Sequence, residues 1–175
     1  MEDRQSRAKR FVAWALTRAQ GDSGFAARLR RADNPDTEYA ALGLLCGFGV
    51  RVENDAERLA FATVGAALCR QKRHSDGENS LGKALRRCMT ASGDNDDSPR
   101  FRRLLACDSV EELCRVLRPL LSLVASRDGK LCHASLLEDI LRFAHDEGRH
   151  RVRLRWAQDF YGAASDADPN GPEEA

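Results

Sequence analysis

Between residues 110 and 124 the apolar side chains recur at intervals of three and four positions, and this spacing constrains the fold more than any other feature. Side chains spaced in this way lie on one face of an α-helix, so the segment predicts a helix with a single apolar face. The apolar positions are Val110, Leu113, Cys114, Leu117, Leu120, Leu121 and Val124. Ser109 and Glu112 form a capping box at the start of this helix, and Pro119 within it predicts a kink or a restart.

Helical spacing continues through most of the sequence, and no strand pattern competes with it. Period-two alternation over more than four residues occurs only at 149–155. A helix explains that segment better, because it places Val152, Trp156 and Phe160 on one face. Asn54 supplies the N-cap of another long predicted helix. The sequence therefore predicts an all-α protein.

Residues 91–98 are typical of a linker, because they are acidic, contain a glycine and lack large apolar side chains. We therefore predict two small helical bundles joined by a short acidic linker. The N-terminal bundle covers residues 1–92 and the C-terminal bundle covers residues 98–162. The segment 163–175 has four carboxylates, two prolines and no basic residue, which predicts a disordered acidic tail.

Arginine is concentrated in short clusters, although the formal net charge of the chain is only +1. The densest cluster is 149–156, which reads Arg-His-Arg-Val-Arg-Leu-Arg-Trp. Smaller basic groups comprise Arg28, Arg30 and Arg31; Arg70, Lys72 and Arg73; Lys83, Arg86 and Arg87; and Arg100, Arg102 and Arg103. A single charged run is usually a solvated helix face, but this many clusters in one chain favour a polyanionic partner.

Motifs for common catalytic chemistries are absent from the sequence. It contains no Gly-x-x-x-x-Gly-Lys-Ser/Thr, no Gly-x-Ser-x-Gly and no His-Glu-x-x-His. The adjacent carboxylates of Glu138 and Asp139, and those at 146–147, diverge by about 100° on a helix, so we expect them to be solvated. His145 and His150 flank a turn and are expected to be solvated as well. The sequence predicts no enzyme activity, no metal site and no cofactor.

The six cysteines include no Cys-x-x-Cys pair, and most lie in segments with helical apolar spacing. We expect them to be reduced and buried, as in a cytosolic protein. No stretch approaches the ~18 uncharged apolar residues of a membrane span. The first residues lack the apolar region of a secretion signal. The expected location is the cytoplasm, with no membrane partner.

Seven segments occur together and in a fixed order along the chain. They are Phe11–Trp14, Ala27–Ala32, Ser80–Leu85, Arg100–Leu105, Leu113–Leu123, Leu136–Leu141 and Trp156–Tyr161. In this order they resemble the CasB family, the small subunit of the type I-E CRISPR surveillance complex Cascade, over about residues 8–162. The resemblance implies a non-catalytic antiviral defence subunit of two helical bundles, present in two copies in the complex. It also implies contacts with the guide RNA, with both strands of the target DNA in the R-loop, and with the backbone and large subunits.

The nucleic-acid contacts that the resemblance implies lie at Arg31, Arg100, Arg118, Arg151 and Arg153. Helical periodicity predicts exposure, and hence further contacts, at Lys83, Arg103 and Arg142. Arg153 lies on a different helical flank from Arg151 and could instead pair with a carboxylate. The sequence departs from expectation in the loop 74–79, which carries Asp76 and Glu78 where a nucleic-acid-facing loop would be basic.

Aromatic residues are few, and most take inward helical positions, which favours phosphate clamping over a stacking platform. Two other functions stay open. A helical regulator that reads duplex DNA would use Lys83, Arg86 and Arg87, but a polar loop precedes this helix in place of the tight turn of a helix-turn-helix. A structural scaffold subunit would use its arginines only for ion pairs with protein neighbours.

Overall fold

A computed structural model describes residues 6–90 and 98–162 of the chain, and these residues contain nine α-helices. The helices are α1 (Arg7–Gly21), α2 (Ser23–Arg30), α3 (Tyr39–Phe48), α4 (Asp55–Arg70), α5 (Leu81–Thr90), α6 (Ser98–Leu105), α7 (Val110–Ser126), α8 (His133–Phe143) and α9 (Asp146–Tyr161). The described residues form no β-strand, only an isolated bridge between Asn79 and Leu131. The all-α prediction is confirmed.

The predicted helix starts are visible as side-chain caps. Asn54 Oδ1 accepts a hydrogen bond from the Glu57 N–H at 2.9 Å, and Ser109 Oγ accepts one from the Glu112 N–H at 3.1 Å. Each bond satisfies one of the backbone N–H groups that a helix leaves without a partner at its start. The Glu112 carboxylate in turn accepts a hydrogen bond from the Asp108 N–H at 3.1 Å. The Ser109 and Glu112 side chains therefore both stabilise the start of α7.

Helix α4 lies at the centre of the fold and packs against α1, α2, α3, α7 and α8. Its residues from Ala60 to Leu68 are all buried, because neighbours surround it on several sides. Small side chains permit this close approach. A Cβ added at Gly65 would lie 2.8 Å from Leu29 Cδ1 of α2, so any larger residue there would have to displace the buried Leu29 side chain.

Helices from both sides of the predicted linker pack on one another. α4 contacts α7 and α8, α5 contacts α9, and α1 contacts α8. The buried apolar side chains of these helices form one continuous core. Residues 91–97 of the predicted linker and the acidic tail at 163–175 lie outside the described residues, and residue 98 begins α6. The division into two bundles stays a prediction.

The six cysteines have free thiols but differ in exposure. Cys88, Cys107 and Cys114 are buried, and Cys69 and Cys132 are half-buried. Burial raises the pKa of the Cys69, Cys107 and Cys114 thiols to about 11, so they are protonated at neutral pH. The expectation of burial is wrong for Cys46, which lies on the exposed side of α3. No helix in the described ranges is long and apolar enough to span a membrane.

Candidate nucleic-acid interface

A groove between α6 and α7 combines arginines with apolar side chains. α6 is amphipathic: Phe101 and Leu104 are buried, and Phe101 stacks on Phe160 of α9 at 4.0 Å between ring centroids. The opposite face of α6 therefore turns Arg100 and Arg103 to solvent. The groove has a volume of about 380 Å³ and is lined by Arg100, Arg103, Arg115, Val116, Pro119 and Leu120. We call it the α6–α7 groove.

The arginines of the α6–α7 groove are weakly engaged by the protein itself. Arg100 and Arg103 form no ion pair with any described residue. Arg115 contacts Glu111 at 3.1 Å, and the two side chains are 71% and 74% exposed. Exposed ion pairs of this kind contribute little, because both charges remain hydrated. All three guanidinium groups can therefore turn to an anionic ligand.

A second, smaller groove adjoins the first, since Arg115 borders both. Its wall includes Arg118 and the buried Asp33, whose carboxylate holds Arg70 through two hydrogen bonds of 2.6 Å. Arg118 Nε approaches the same carboxylate only at 3.6 Å, and 41% of its side chain is exposed. Arg70 is therefore the structural partner of Asp33, and Arg118 keeps an accessible head group. Arg31, two residues before Asp33, is exposed at the end of α2.

Three of the eight residues predicted as nucleic-acid contacts, Arg100, Arg103 and Arg118, line these two adjoining grooves, together with one residue that sequence analysis missed. We call this set the basic path, and it consists of Arg118, Arg115, Arg103 and Arg100. Arg31 is exposed but lines neither groove. The missed residue is Arg115. Its signal in the sequence is its helical phase, one turn before Pro119 on the polar face of α7.

Three other predicted contacts lie outside this path. Lys83 is exposed on α5, which α9 holds through a hydrogen bond of 2.6 Å from Ser80 Oγ to Asp159 Oδ2. Arg142 and Arg151 are exposed and belong to α8 and α9. Arg142 lies 3.3 Å from Glu138 and 3.6 Å from Asp139, and Arg151 lies 3.8 Å from Glu147.

Arg153 takes the structural role that the sequence left open. Its guanidinium bonds the Cys107 carbonyl and the Asp108 carboxylate, the latter at 2.8 Å, and lies 5.6 Å from the Phe143 ring centroid. Hydrogen bonding to Arg153 lowers the pKa of the Asp108 carboxyl. These contacts join α9 to the start of α7 and keep three quarters of the Arg153 side chain from solvent. The geometry favours a clamp within the fold.

Asp139 is buried, with 2% of its side chain exposed, so the expectation that it is solvated was wrong. Its carboxylate accepts hydrogen bonds from Arg155 and from Trp156 Nε1, the second at 2.8 Å. Burial raises the pKa of Asp139, and the bonds from Arg155 and Trp156 offset this only in part. Asp146 and Glu147 are exposed as expected.

The acidic loop at 74–79 has a structural explanation. Asp76 caps α8: its Oδ1 accepts from the His133 N–H at 2.8 Å and lies 2.9 Å from His133 Nδ1, and its Oδ2 accepts from the Ala134 N–H at 3.1 Å. The loop backbone also pairs with Leu131, through a bond from the Gly77 N–H at 3.0 Å. Glu78 is exposed. Asp76 therefore has a structural role, because it holds the loop against the start of α8.

Side chains that could bind a metal ion do not cluster in the described part of the chain. They contain no group of three or more His, Cys, Asp or Glu side chains that could hold a metal ion. His145 and His150 are exposed, as expected. The described surface carries many arginines, and a guanidinium group has the paired N–H donors that suit phosphate binding.

Comparison with known proteins adds a family and a fold. The family model for CRISPR-associated protein Cse2 matches residues 26–161, well over half of the chain. The fold is similar to CasB from Thermobifida fusca, with a TM-score of 0.64, 19% identity and coverage of 90% of this chain and 99% of that chain. It is similar to M. ruber CasB, with a TM-score of 0.72, 24% identity and coverage of 93% and 96%.

A chain of a CRISPR RNA-guided surveillance complex is also similar, with a TM-score of 0.73, 24% identity and coverage of 93% of this chain and 98% of that chain. At identities below 25%, these solved structures support the fold alone. No curated protein matches the sequence.

Proposed function

This chain belongs to the CRISPR-associated protein Cse2 family, and we propose that it acts as a non-catalytic subunit of an RNA-guided Cascade complex in the cytoplasm. In this role it holds the sugar–phosphate backbone of target and displaced DNA strands, and of guide RNA, and so stabilises the R-loop. Its other partners are the backbone and large subunits of the complex and a second copy of itself. The similar chain within a surveillance complex supports this assignment.

The observation that carries the proposal is the basic path. Arg100, Arg103 and Arg115 are exposed along the first groove, and Arg118 is half-buried in the second, where it approaches Asp33 only at 3.6 Å. RNA-guided complexes leave sequence discrimination to base pairing, and their proteins supply positively charged channels for the backbones. A row of arginines without an active site suits that task. Lys83, Arg142 and Arg151 are proposed as further contacts from exposed positions on other helices.

The proposal is tested by the salt dependence of binding. Full-length protein is titrated with single-stranded DNA of two unrelated sequences at several salt concentrations. Each phosphate contact releases condensed counterions, so Arg100→Ala and Arg103→Ala should each reduce the slope of log affinity against log salt by about 0.7. The loss should be equal for both sequences, because backbone contacts carry no base information.

Two further variants serve as matched comparisons. Glu111→Gln removes the carboxylate beside Arg115, so it should strengthen binding at low salt. Arg10→Ala removes an exposed arginine of α1, a helix that packs on α2, α4 and α8, and should leave the slope unchanged. If Arg10→Ala and Arg100→Ala lower the slope equally, the basic path has no special role. If no variant binds nucleic acid at all, the scaffold alternative is favoured.

A sequence-specific regulator receives less support. Helix α5, which carries Lys83, is preceded by the docked loop 74–79 and packs closely on α9. A Cβ added at Gly82 would lie 2.5 Å from the Trp156 carbonyl oxygen, so the backbones of α5 and α9 are in close contact. A regulator would show a preference of about 10³ or more for one duplex sequence over others, which the same titration measures.

A further inference from the structure

The α6–α7 groove contains more than phosphate binding requires. Val116, Pro119 and Leu120 line it together with the three arginines, and we call these three residues its apolar floor. Val116 is half-buried and Pro119 is exposed, so part of this floor is in contact with solvent. Exposed apolar side chains contribute nothing to phosphate binding. They do stabilise the binding of a ligand that has a flat, apolar face.

The charges at the rim restrict the class of ligand. All the charged residues that line the described groove are arginines: Arg100, Arg103 and Arg115. A basic or neutral apolar segment would have to desolvate these guanidinium groups without compensation. The ligand must therefore combine negative charge with a flat, apolar face. Guanidinium planes also stack on aromatic rings, which adds a second contact to such a face.

Pro119 supplies a further feature. In a regular helix the N–H at position 119 would donate to the carbonyl of Arg115, but proline carries no N–H. α7 nevertheless continues from Val110 to Ser126 as one helix, so the predicted restart does not occur. The Pro119 ring is exposed and adds apolar surface to the groove.

We propose that the α6–α7 groove receives one unstacked base of a single-stranded nucleic acid, while Arg100, Arg103 and Arg115 hold the flanking phosphates. This rests on the proposed function and adds a base contact to the backbone clamp. Proteins that hold single strands combine a cationic groove with surfaces that cover base faces. Because every base has an apolar face, the contact tolerates any sequence.

The test separates base contacts from backbone contacts. Full-length protein is titrated with a short single-stranded DNA and with the same oligomer made abasic at its central positions. RNA of the same sequence forms a parallel arm that distinguishes guide from target as the source of the base. Wild-type protein should bind the intact oligomer about fivefold or more tighter than the abasic one, because base burial adds to the charge contacts.

Two conservative variants alter the groove without altering its charge. Pro119→Ala restores the helical N–H and removes the ring, and Val116→Thr keeps the side-chain shape but replaces a methyl group with a hydroxyl. Each should lower affinity for the intact oligomer by at least about twofold and leave affinity for the abasic oligomer and the salt slope unchanged. Arg100→Ala is the converse control, since it should weaken both oligomers equally and reduce the slope.

Each outcome bears on the proposal. If intact and abasic oligomers bind equally while Arg100→Ala still reduces the slope, the base contact is wrong and the backbone clamp stands. If neither oligomer binds at low salt, both ideas fail together. If Pro119→Ala weakens assembly of the complex while nucleic-acid affinity is unchanged, the groove receives a neighbouring protein segment and the proposal is overturned.

Discussion

Trp156 Nε1 donates a hydrogen bond to Asp139 Oδ2 at 2.8 Å, and both side chains are almost completely buried. The pair joins α9 to α8 inside the core. Trp156→Ala should therefore lower the free energy of unfolding by about 3–5 kcal/mol, the usual cost of removing a buried aromatic side chain. Chemical denaturation measures it. A change below about 1 kcal/mol would show that Trp156 does not anchor α9.

Trp156→Phe separates the ring from the hydrogen bond. It keeps most of the apolar volume and removes the N–H, so it should cost about 1–3 kcal/mol through loss of the bond to a buried carboxylate. Its cost should fall between those of wild type and Trp156→Ala in the same denaturation series. If Trp156→Phe equals wild type in stability, the bond to Asp139 contributes nothing.

The Asp76–His133 contact predicts a pH dependence. Burial raises the pKa of the Asp76 carboxyl, but hydrogen bonds from the His133 side chain and from the His133 and Ala134 backbone outweigh it, so the pKa lies below its ordinary value of 3.8. The ionised form is thus favoured by folding. Its stabilisation is fully present above pH 3.8 and is lost as the pH falls through the lowered folded pKa.

Asp76→Asn, which cannot ionise, isolates this effect. Wild type should be more stable than Asp76→Asn at neutral pH, and the difference should shrink as the pH falls below about 4. Glu78→Gln removes an exposed carboxyl in the same loop and should show almost no difference at any pH. A gap for Asp76→Asn that stays constant between pH 7 and pH 3 would contradict the role assigned to the Asp76 carboxylate.

Helical periodicity predicted much of the fold, because an amphipathic helix records its buried face in its own sequence. The apolar face of α7 and the caps at Asn54 and Ser109 are confirmed. Periodicity does not record which helices meet. The contact of α4 with α7 across the predicted linker depends on long-range packing that no local pattern contains.

The candidate site shows the same limit. Asp139 shares the helical phase of the buried Leu136 and Phe143, so its burial could have been predicted from the sequence. Its partner could not, because Trp156 lies 17 residues later on another helix. The pairing of Arg153 with Asp108 likewise joins α9 to the segment between α6 and α7, and no local pattern in the sequence predicts it. Arg115 was missed because its place beside Arg100 and Arg103 follows from how α6 packs on α7.

Arg151 and Arg153, two residues apart on α9, should behave in opposite ways. Arg153→Ala removes a bond to the Cys107 carbonyl and a contact with Phe143, so it should lower Tm by about 3–6 °C. Arg151→Ala removes only a contact of 3.8 Å between side chains that are 81% and 90% exposed. Its Tm should match wild type. Calorimetry that finds Arg151→Ala the more damaging variant would contradict these roles.

Thiol accessibility tests the packing of the cysteines. Cys46 is exposed, while Cys88, Cys107 and Cys114 are buried. A thiol reagent added to native protein should react fastest at Cys46, and Cys46→Ala should remove that fast phase. The buried thiols should react only on unfolding, because they are both inaccessible and, for Cys107 and Cys114, raised in pKa to about 11. A fast phase that persists in Cys46→Ala would show that a second thiol is accessible to the reagent in the native protein.

The most direct test of the central claim is chemical probing of the displaced DNA strand in the assembled RNA-guided complex. The comparison is between wild type and the Arg100→Ala/Arg103→Ala double variant, with Arg10→Ala as control. We expect the double variant to assemble normally and to recognise its target, but to leave the displaced strand less open, with a salt slope lower by about 1.4. Unchanged strand opening together with failed assembly would contradict the account, because these arginines would then hold protein neighbours.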